Sequence, residues 1–201
     1  MDIWMLDKER DLHLREVQRE DVEAASNVAR RAFQSERCGE QVHQMLTCAL
    51  TLTSGNYPGG PVPSMLSVTY YVLVRHSLTG EAVCGLTGLY TRLWDEAERG
   101  NYWLGWFAVD PDFQRQGLGE LLLSATAALC AGRGGKRLNI ETTTEAMPAR
   151  CLYRRLGFTE VPAIPDYWDA GSDLLLCYKN LATDDKQAAE MLKDCPHEFR
   201  T

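Results

Sequence analysis

The chain has 201 residues, of which 45% are hydrophobic and 24% charged, and its formal net charge is -7 at pH 7. These values are typical of a globular protein with one buried core, and they exclude an intrinsically disordered chain. The negative charge argues against a general nucleic-acid binder, which needs clustered lysine and arginine, and it better suits cationic acceptors such as amines.

The first part of the chain predicts one strand followed by two helices. Apolar and polar residues alternate over 11–17, which predicts an opening strand. An acidic stretch then begins a helix that ends near Phe33. Apolar residues recur at helical spacing over 41–52 and predict a second helix, with His43 on its surface. Proline and glycine over 54–63 predict a loop.

Three strands are predicted next. Residues 65–75 and 82–93 are typical of long strands joined by a short turn, which fits an antiparallel hairpin. After an acidic turn over 94–100, a buried strand covers 102–109 and ends at Asp110-Pro111, because proline offers no ladder donor.

A glycine turn, Gln-Arg-Gln-Gly-Leu-Gly over residues 114–119, follows this strand. Gly117 and Gly119 carry no Cβ, so the backbone can turn sharply and leave the first helical N–H groups unpaired. Unpaired donors at a helix N-terminus attract phosphate. The pattern is neither a P-loop nor a dinucleotide fingerprint. Alternatively, the glycines serve only tight packing in a strand-turn-helix unit.

The stretch after the glycine turn predicts a helix with one apolar face. That face consists of Leu118, Leu121, Leu122, Ala125 and Leu129. Glu120, Ser124 and Thr126 are predicted to lie off it, and the glycines of residues 132–135 to end the helix.

The remaining elements complete a sheet. Residues 137–142 predict a strand that pairs parallel to the 102–109 strand through the intervening helix. A helix follows from Pro148 to Gly157, and residues 158–161 and 173–180 predict a closing antiparallel pair, separated by an aromatic loop over 162–168. We expect a single domain over 1–182 and a C-terminal tail over 183–201 that forms a short helix.

The seven cysteines show no Cys-x-x-Cys pair, so neither a zinc site nor a disulfide framework is predicted, and we expect no metal. The first residues lack the pattern of a secretory signal, and no run approaches the ~20 apolar residues that a membrane span needs. We therefore expect a cytoplasmic protein with neither membrane nor nucleic acid as a partner.

Two motifs in the right order indicate a family. Residues 114–119 match the pattern Gln/Arg-x-x-Gly-x-Gly/Ala, and residues 149–158 match Ala-x-x-x-Tyr-x-x-x-Gly-Phe. With them the chain resembles the GNAT superfamily of acetyl-coenzyme A-dependent N-acetyltransferases over about residues 10–181. The resemblance implies an α/β (α+β) fold: a mixed, mostly antiparallel central sheet of about six or seven strands, about four flanking helices, and a splayed parallel strand pair at the cofactor site.

The resemblance also implies an acyltransferase that moves the acetyl group of acetyl-CoA directly to a primary amine, in a small molecule or a peptide, within a ternary complex. The implied cofactor-binding residues are Phe107, Ala108, Val109, Gln114, Arg115, Gln116, Gly117, Leu118, Gly119 and Glu120. The N–H of Phe107 would face the acetyl oxygen, Val109 would pair with pantetheine, and the N–H groups of residues 114–120 would hold the pyrophosphate. Gly105 is the predicted position of the bulge that splays the strands. Homodimers are frequent in the family.

Tyr153 and Glu141 are the implied catalytic residues. Tyr153 aligns with the tyrosine that protonates the coenzyme A thiolate, and a phenol with a pKa near ~10 stays protonated at neutral pH. Many members carry a glutamate where this chain has Trp103, so the predicted base is Glu141, in a pattern similar to Leu-Glu-Val of bacterial ribosomal-protein alanine acetyltransferases. In the alternative interpretation, Tyr153 is a packing residue and Glu141 an exposed strand glutamate.

Further candidates complete the predicted site. The reserve candidates for the base are Tyr90, Glu36 and Asp166. Contacts to the adenosine phosphates could come from Arg150 and Arg154. The acceptor side could be lined by Tyr90, Trp103, Trp106 and Trp168. The absent strand carboxylate and Ala146, where the family usually has an asparagine, leave an alternative function, a non-catalytic acyl-CoA-binding or sensor module. No cysteine has a neighbouring histidine in sequence that would activate a thiolate, which favours direct transfer.

Overall fold

The structure is a computed structural model that describes residues 3–51, 65–78, 80–92 and 100–181. Its helices are α1 (Val22–Phe33), α2 (Glu36–Thr51), α3 (Leu118–Gly132) and α4 (Met147–Arg155). Its strands are β1 (Ile3–Asp7), β2 (Leu12–Glu16), β3 (Met65–Ser77), β4 (Gly80–Arg92), β5 (Asn101–Leu104), β6 (Ala108–Val109), β7 (Arg137–Thr143), β8 (Thr159–Glu160), β9 (Ile164–Asp169) and β10 (Ser172–Asn180). Short 3-10 turns precede α1 at Arg19–Asp21 and α3 at Pro111–Phe113.

The strands form one ten-stranded sheet in the order β1-β2-β3-β4-β5-β7-β10-β8, with β6 paired to β4 and β9 to β10. Neighbouring strands are antiparallel except β5 and β7, which run parallel as the crossover through α3 predicts. The mixed fold with four helices is confirmed. The expected six or seven strands were too few.

Three features account for the additional strands. β1 was not predicted, although its Trp4 is buried and packs edge-on against the Tyr71 ring at 5.8 Å. The loop predicted over 162–168 is wrong, because residues 164–169 pair with β10 as β9. Because β10 pairs with β7 on one side and with β9 on the other, β9 is an edge strand. Pro165 is tolerated in β9 because an edge strand needs fewer backbone donors. The third feature is a break in the predicted 102–109 strand, which separates β5 from β6.

Most other sequence-based boundaries hold within a few residues. The β3–β4 hairpin pairs from Met65↔Arg92 to Ser77↔Gly80, and α2 begins at Glu36 rather than at residue 41. The predicted loop over 54–63, the acidic turn over 94–99 and the tail over 183–201 lie outside the described residues. None of the helices in the described ranges is long and apolar enough to cross a membrane.

Two hydrophobic cores cover the two faces of the sheet. One lies under α3 and α4 and includes Leu122, Ile140 and Tyr153. The other lies under α1 and α2 and includes Met45 and Tyr70. Each face of the sheet is therefore closed by its own helix pair.

The prediction that Thr126 lies off the buried face of α3 is wrong. Its side chain is fully buried, with Oγ1 donating to the Leu122 carbonyl oxygen at 2.7 Å and sharing a hydrogen bond of 2.9 Å with Thr87 Oγ1. Because both hydroxyls are satisfied in this way, α3 can bury a polar position that apolar spacing alone assigns to solvent.

The Tyr70 ring lies across two glycines of the sheet. A Cβ added to Gly88 would stand 2.5 Å from Tyr70 Cε1, and one added to Gly105 would stand 3.1 Å from the same atom. Tyr70 is itself 3% exposed, so the ring has little room to move away. Both glycines are needed here because the ring occupies the space of a side chain.

Gly88→Ala is therefore expected to destabilise the protein by about 1–3 kcal/mol, the usual cost of overpacking a dense core. Chemical denaturation would measure the free energy of unfolding. The matched experiment is the same substitution in a Tyr70→Ala background, where the added methyl group should cost much less. Equal costs in the two backgrounds would contradict the steric explanation.

Candidate functional site

A β-bulge separates β5 from β6. Leu104 pairs with Leu89 of β4, and Ala108 pairs with Leu86, so four steps along β5–β6 oppose three steps along β4. The Gly105 N–H donates to the Gly88 carbonyl at 2.8 Å, which keeps Gly105 in register opposite Gly88, so the extra residue falls at 106–107. A bulge is thus present, one or two residues after the predicted position at Gly105.

The bulge opens the sheet between the two parallel strands. β5 pairs with β7 only up to Trp103↔Asn139, and beyond that point β6 pairs with β4 alone. On its other side β7 continues to pair with β10 as far as Thr143. A gap therefore opens between β6 and the second half of β7, and we name it the splay.

The backbone of β6 presents a donor to the splay. The Asp110 N–H donates to the Cys84 carbonyl of β4 at 2.9 Å. Because N–H groups alternate in direction along a strand, that of Val109 points away from β4 and toward the splay. The Val109 side chain is 9% exposed and belongs to the core under α3. Its side chain is thus structural, while its N–H is available to a ligand.

Free amides also line the glycine turn that enters α3. Gly117 caps the helix with a φ of 79°, and Arg115 has a φ of 57°, so two left-handed residues bend the loop. Nothing lies within 4 Å of a Cβ added to Gly117, so the backbone angle alone demands glycine. The first amide after the turn with an acceptor is Leu121, which donates to the Gly117 carbonyl at 3.1 Å. The N–H groups of residues 115–120 donate to no acceptor in the described part of the chain.

Gln114 differs from its neighbours in the loop. Its N–H donates to the Pro111 carbonyl at 3.3 Å, and its side-chain Nε2 donates to the Val109 carbonyl at 2.9 Å. The role of the Gln114 amide in cofactor binding stays a prediction. The 3-10 turn uses that amide, and Gln114 instead ties the loop to the end of β6.

Tyr153 lies on α4 with its ring in the core under α3. It is 5% exposed and packs against Phe158 with ring centroids 6.0 Å apart. Burial raises the pKa of its phenol, so the hydroxyl remains protonated at neutral pH. Its hydroxyl makes no hydrogen bond to the described residues.

Glu141 lies on β7 beside the splay, and Arg92 holds its carboxylate. The Arg92 Nη2 atom lies 2.6 Å from Glu141 Oε2 and donates to the Tyr90 hydroxyl at 2.8 Å. The Arg92 guanidinium also stacks on Trp103, with Cζ 3.7 Å from the ring centroid. Sequence reasoning missed Arg92, because nothing in its local sequence indicates that the end of β4 meets the middle of β7.

Tyr153 and Glu141 belong to opposite faces of the sheet. Ile140 lies in the same core as Tyr153, and successive strand residues point to opposite faces, so Glu141 faces the α1–α2 side. Tyr90 and Trp103, its neighbours there, stack with centroids 6.4 Å apart and border the second core. The Tyr153 phenol and the Glu141 carboxylate therefore lie on opposite faces of the sheet.

The structure gives the other candidate bases a different setting. Burial, followed by the Glu141 charge, raises the pKa of Tyr90 to about 12, so this phenol is neutral at physiological pH. Glu36 lies on the surface of α2, 78% exposed, in an ion pair with Arg30. Asp166 accepts a hydrogen bond of 2.6 Å from the Gly171 N–H within the β9–β10 hairpin.

Among the candidate cationic and aromatic residues, Arg150 binds both Glu160 oxygens at 3.0 Å and the Thr144 carbonyl at 2.6 Å, which ties α4 to β8. Arg154 lies 3.8 Å from Glu160. The Trp106 indole N–H donates to Met45 Sδ at 3.1 Å, on the α1–α2 side of the bulge.

Cysteine chemistry is poorly supported at this site. Burial raises the pKa of the Cys84 thiol to about 11, so little thiolate forms near neutral pH. Within the described ranges, no cluster of histidine, cysteine, aspartate and glutamate has the arrangement to hold a metal ion.

Comparisons with known proteins agree with this geometry. A family model for the acetyltransferase (GNAT) domain matches residues 67–160. The ribosomal protein bS18-alanine N-acetyltransferase of Salmonella typhimurium is 41% identical over 61 residues, 30% of this chain and 41% of that protein. The chain spans less than half the length of the curated relatives it matches.

Solved structures share the fold over most of the chain. A GNAT-family protein of Desulfovibrio desulfuricans has a TM-score of 0.70 at 21% identity, covering 85% of this chain and 99% of that one. The Salmonella typhimurium protein YncA, solved with its cofactor acetyl-CoA, has a TM-score of 0.63 at 16% identity, covering 85% and 94%.

Proposed function

Because the chain belongs to the GNAT superfamily of acetyltransferases, we propose that it transfers the acetyl group of acetyl-CoA to a primary amine. The observation that carries this proposal is the row of unpaired amides over residues 115–120, directly beside the splay between β6 and β7. A diphosphate needs such donors, and a pantetheine arm needs a strand edge to pair with.

The bound acetyl-CoA would divide between these two features. Its pyrophosphate would accept hydrogen bonds from the N–H groups of residues 115–120, with the exposed side chains of Arg115 and Gln116 nearby. Its pantetheine arm would lie in the splay against Val109, and its acetyl oxygen would accept from the Phe107 N–H. Such a preformed donor stabilises the negative charge that develops on the carbonyl oxygen during transfer.

The transfer forms a C–N bond to the amine and breaks the C–S bond of the thioester. Glu141 would take the proton from the attacking amine, directly or through water, and Tyr153 would give its proton to the departing thiolate. The two proton transfers are separate, because the amine loses its proton as it adds to the carbonyl carbon and the thiolate gains one as the C–S bond of the tetrahedral intermediate breaks. Direct transfer in a ternary complex needs no covalent enzyme intermediate.

The acceptor is a primary amine of a small molecule or of a peptide. A curated relative is named for acetylating an alanine of a ribosomal protein, which supports a peptide N-terminus as one acceptor class. Its name as an enzyme also favours catalysis over the sensor alternative. A cytoplasmic location and a homodimer stay predictions, testable by fractionation and by light scattering.

Calorimetric titration with acetyl-CoA tests the first step of this proposal. We expect saturable binding at micromolar to low-millimolar cofactor, and no binding at millimolar concentration would contradict the proposal. Thiol release with a panel of amines and peptides, read together with product masses, then tests transfer. Binding without release on any acceptor would favour the sensor alternative.

A further inference from the structure

The glycine turn is held from outside by an arginine of the first hairpin. Arg10 lies in the turn between β1 and β2, and its Nη1 atom donates to the Gln116 carbonyl at 2.7 Å across a sequence separation of 106 residues. Within the described ranges, no other side chain from outside the loop bonds residues 114–117. We infer that Arg10 is a positioning residue for the diphosphate of the coenzyme, an inference that rests on the proposed function.

The Arg10 side chain is itself held in place. Asp7 Oδ1 accepts from the Arg10 N–H at 3.0 Å, and Asp7 Oδ2 accepts from Nε at 2.7 Å. These two contacts fix both ends of the side chain's aliphatic part and leave Nη1 directed at the loop. An arginine held in this way loses little conformational entropy when it bonds the Gln116 carbonyl.

The contact with Arg10 fixes the direction of the next amide. The Gln116–Gly117 peptide is trans, since the described chain has no cis bonds, so its C=O and N–H point in opposite directions. With the Gln116 carbonyl turned toward Arg10, the Gly117 N–H must point away from it, to the other side of the loop. A cation on the carbonyl also polarises the peptide and strengthens its N–H as a donor.

The rest of the loop is held elsewhere. On the α1 side, Arg31 lies 3.0 Å from both Asp110 and Asp112, and the buried Asp110 accepts from the Asp112 N–H at 3.0 Å. These contacts secure the 3-10 turn but stop before Arg115. Within residues 115–117, the Gly117 carbonyl accepts from the Leu121 N–H at 3.1 Å and the Gln116 side chain donates to the Asp112 carbonyl at 3.2 Å, while the Gln116 carbonyl is held by Arg10.

The test compares Arg10→Met with Arg19→Met, which removes one exposed positive charge in the 3-10 turn before α1, far along the chain from the glycine turn. Each variant is titrated with coenzyme A and assayed with acetyl-CoA and with N-acetyl-S-acetylcysteamine, a thioester that carries no phosphate. We expect Arg10→Met to raise the Kd for coenzyme A about tenfold, the loss of one charge-assisted hydrogen bond. Turnover of the phosphate-free thioester should stay within about twofold of the native protein, and Arg19→Met should change neither quantity.

Three outcomes would overturn the role of Arg10. They are native affinity in Arg10→Met, equal losses on both thioesters, and an equal loss in Arg19→Met, which would indicate only a general effect of charge. If the native protein binds no coenzyme A, the proposed function itself fails, so the two failures are distinguishable.

Discussion

Tyr153→Phe is expected to lower kcat about 10²–10⁴-fold, the usual contribution of a positioned general acid. The thiolate of coenzyme A must be protonated as it leaves, and the buried hydroxyl of Tyr153 is the proposed source of that proton. Burial raises the pKa of this phenol, so the native enzyme should keep its acid protonated across the whole range from pH 6 to 9. The fractional loss should therefore be constant over that range.

The fold should tolerate Tyr153→Phe. Phenylalanine keeps the ring that packs on Phe158, and the hydroxyl makes no hydrogen bond within the described chain that would be lost. Tyr178→Phe is a suitable control, because Tyr178 lies on β10 under the Arg137 guanidinium, whose Cζ atom is 4.8 Å from the ring centroid. Stopped assays of thiol release with both variants would decide the role. Native turnover in Tyr153→Phe would contradict the assignment of the acid.

Local sequence patterns were sufficient for the cofactor side of the site. Gly117 and the apolar stripe of α3 lie within a few residues of each other, so a short window predicts the turn, the helix start and the outward amides. The parallel pairing of β5 and β7 follows from the same window, since a strand, a helix and a strand in succession form a right-handed crossover. The bulge was expected from the family resemblance, at Gly105, and lies one or two residues after it.

The parts that could not be predicted depend on contacts between distant segments. Arg92 meets Glu141 across neighbouring parts of the sheet, and Arg10 meets Gln116 over 106 residues, with no local pattern to indicate either. Thr126 was assigned to solvent because apolar spacing does not show the two partners of its hydroxyl, the Leu122 carbonyl in α3 and Thr87 on β4. The edge strand β9 was missed for a similar reason: it pairs on one side only, so its sequence needs little of the pattern that identifies a strand.

Glu141, which Arg92 holds beside the splay, is the proposed base, and replacing it should slow the transfer. Glu141→Gln keeps the size of the side chain and its hydrogen bonding but cannot accept a proton from the amine. We expect kcat/KM to fall about 10²–10⁴-fold. The residual activity of Glu141→Gln then measures how much transfer proceeds without this carboxylate.

Glu160→Gln is a closely matched control for Glu141→Gln. Both glutamates lie on strands, with side chains 25% and 22% exposed, and each is ion-paired with an arginine, at 2.6 Å for Glu141 and 3.0 Å for Glu160. Only Glu141 stands beside the splay, so a loss confined to its variant separates proton transfer from the general loss of an ion pair. Tyr90 does not compete for the role, because its pKa of about 12 keeps it protonated. If Glu141→Gln retained native kcat/KM, the amine would have to be deprotonated by water or by a group outside this cluster, and Glu141 would not be the base.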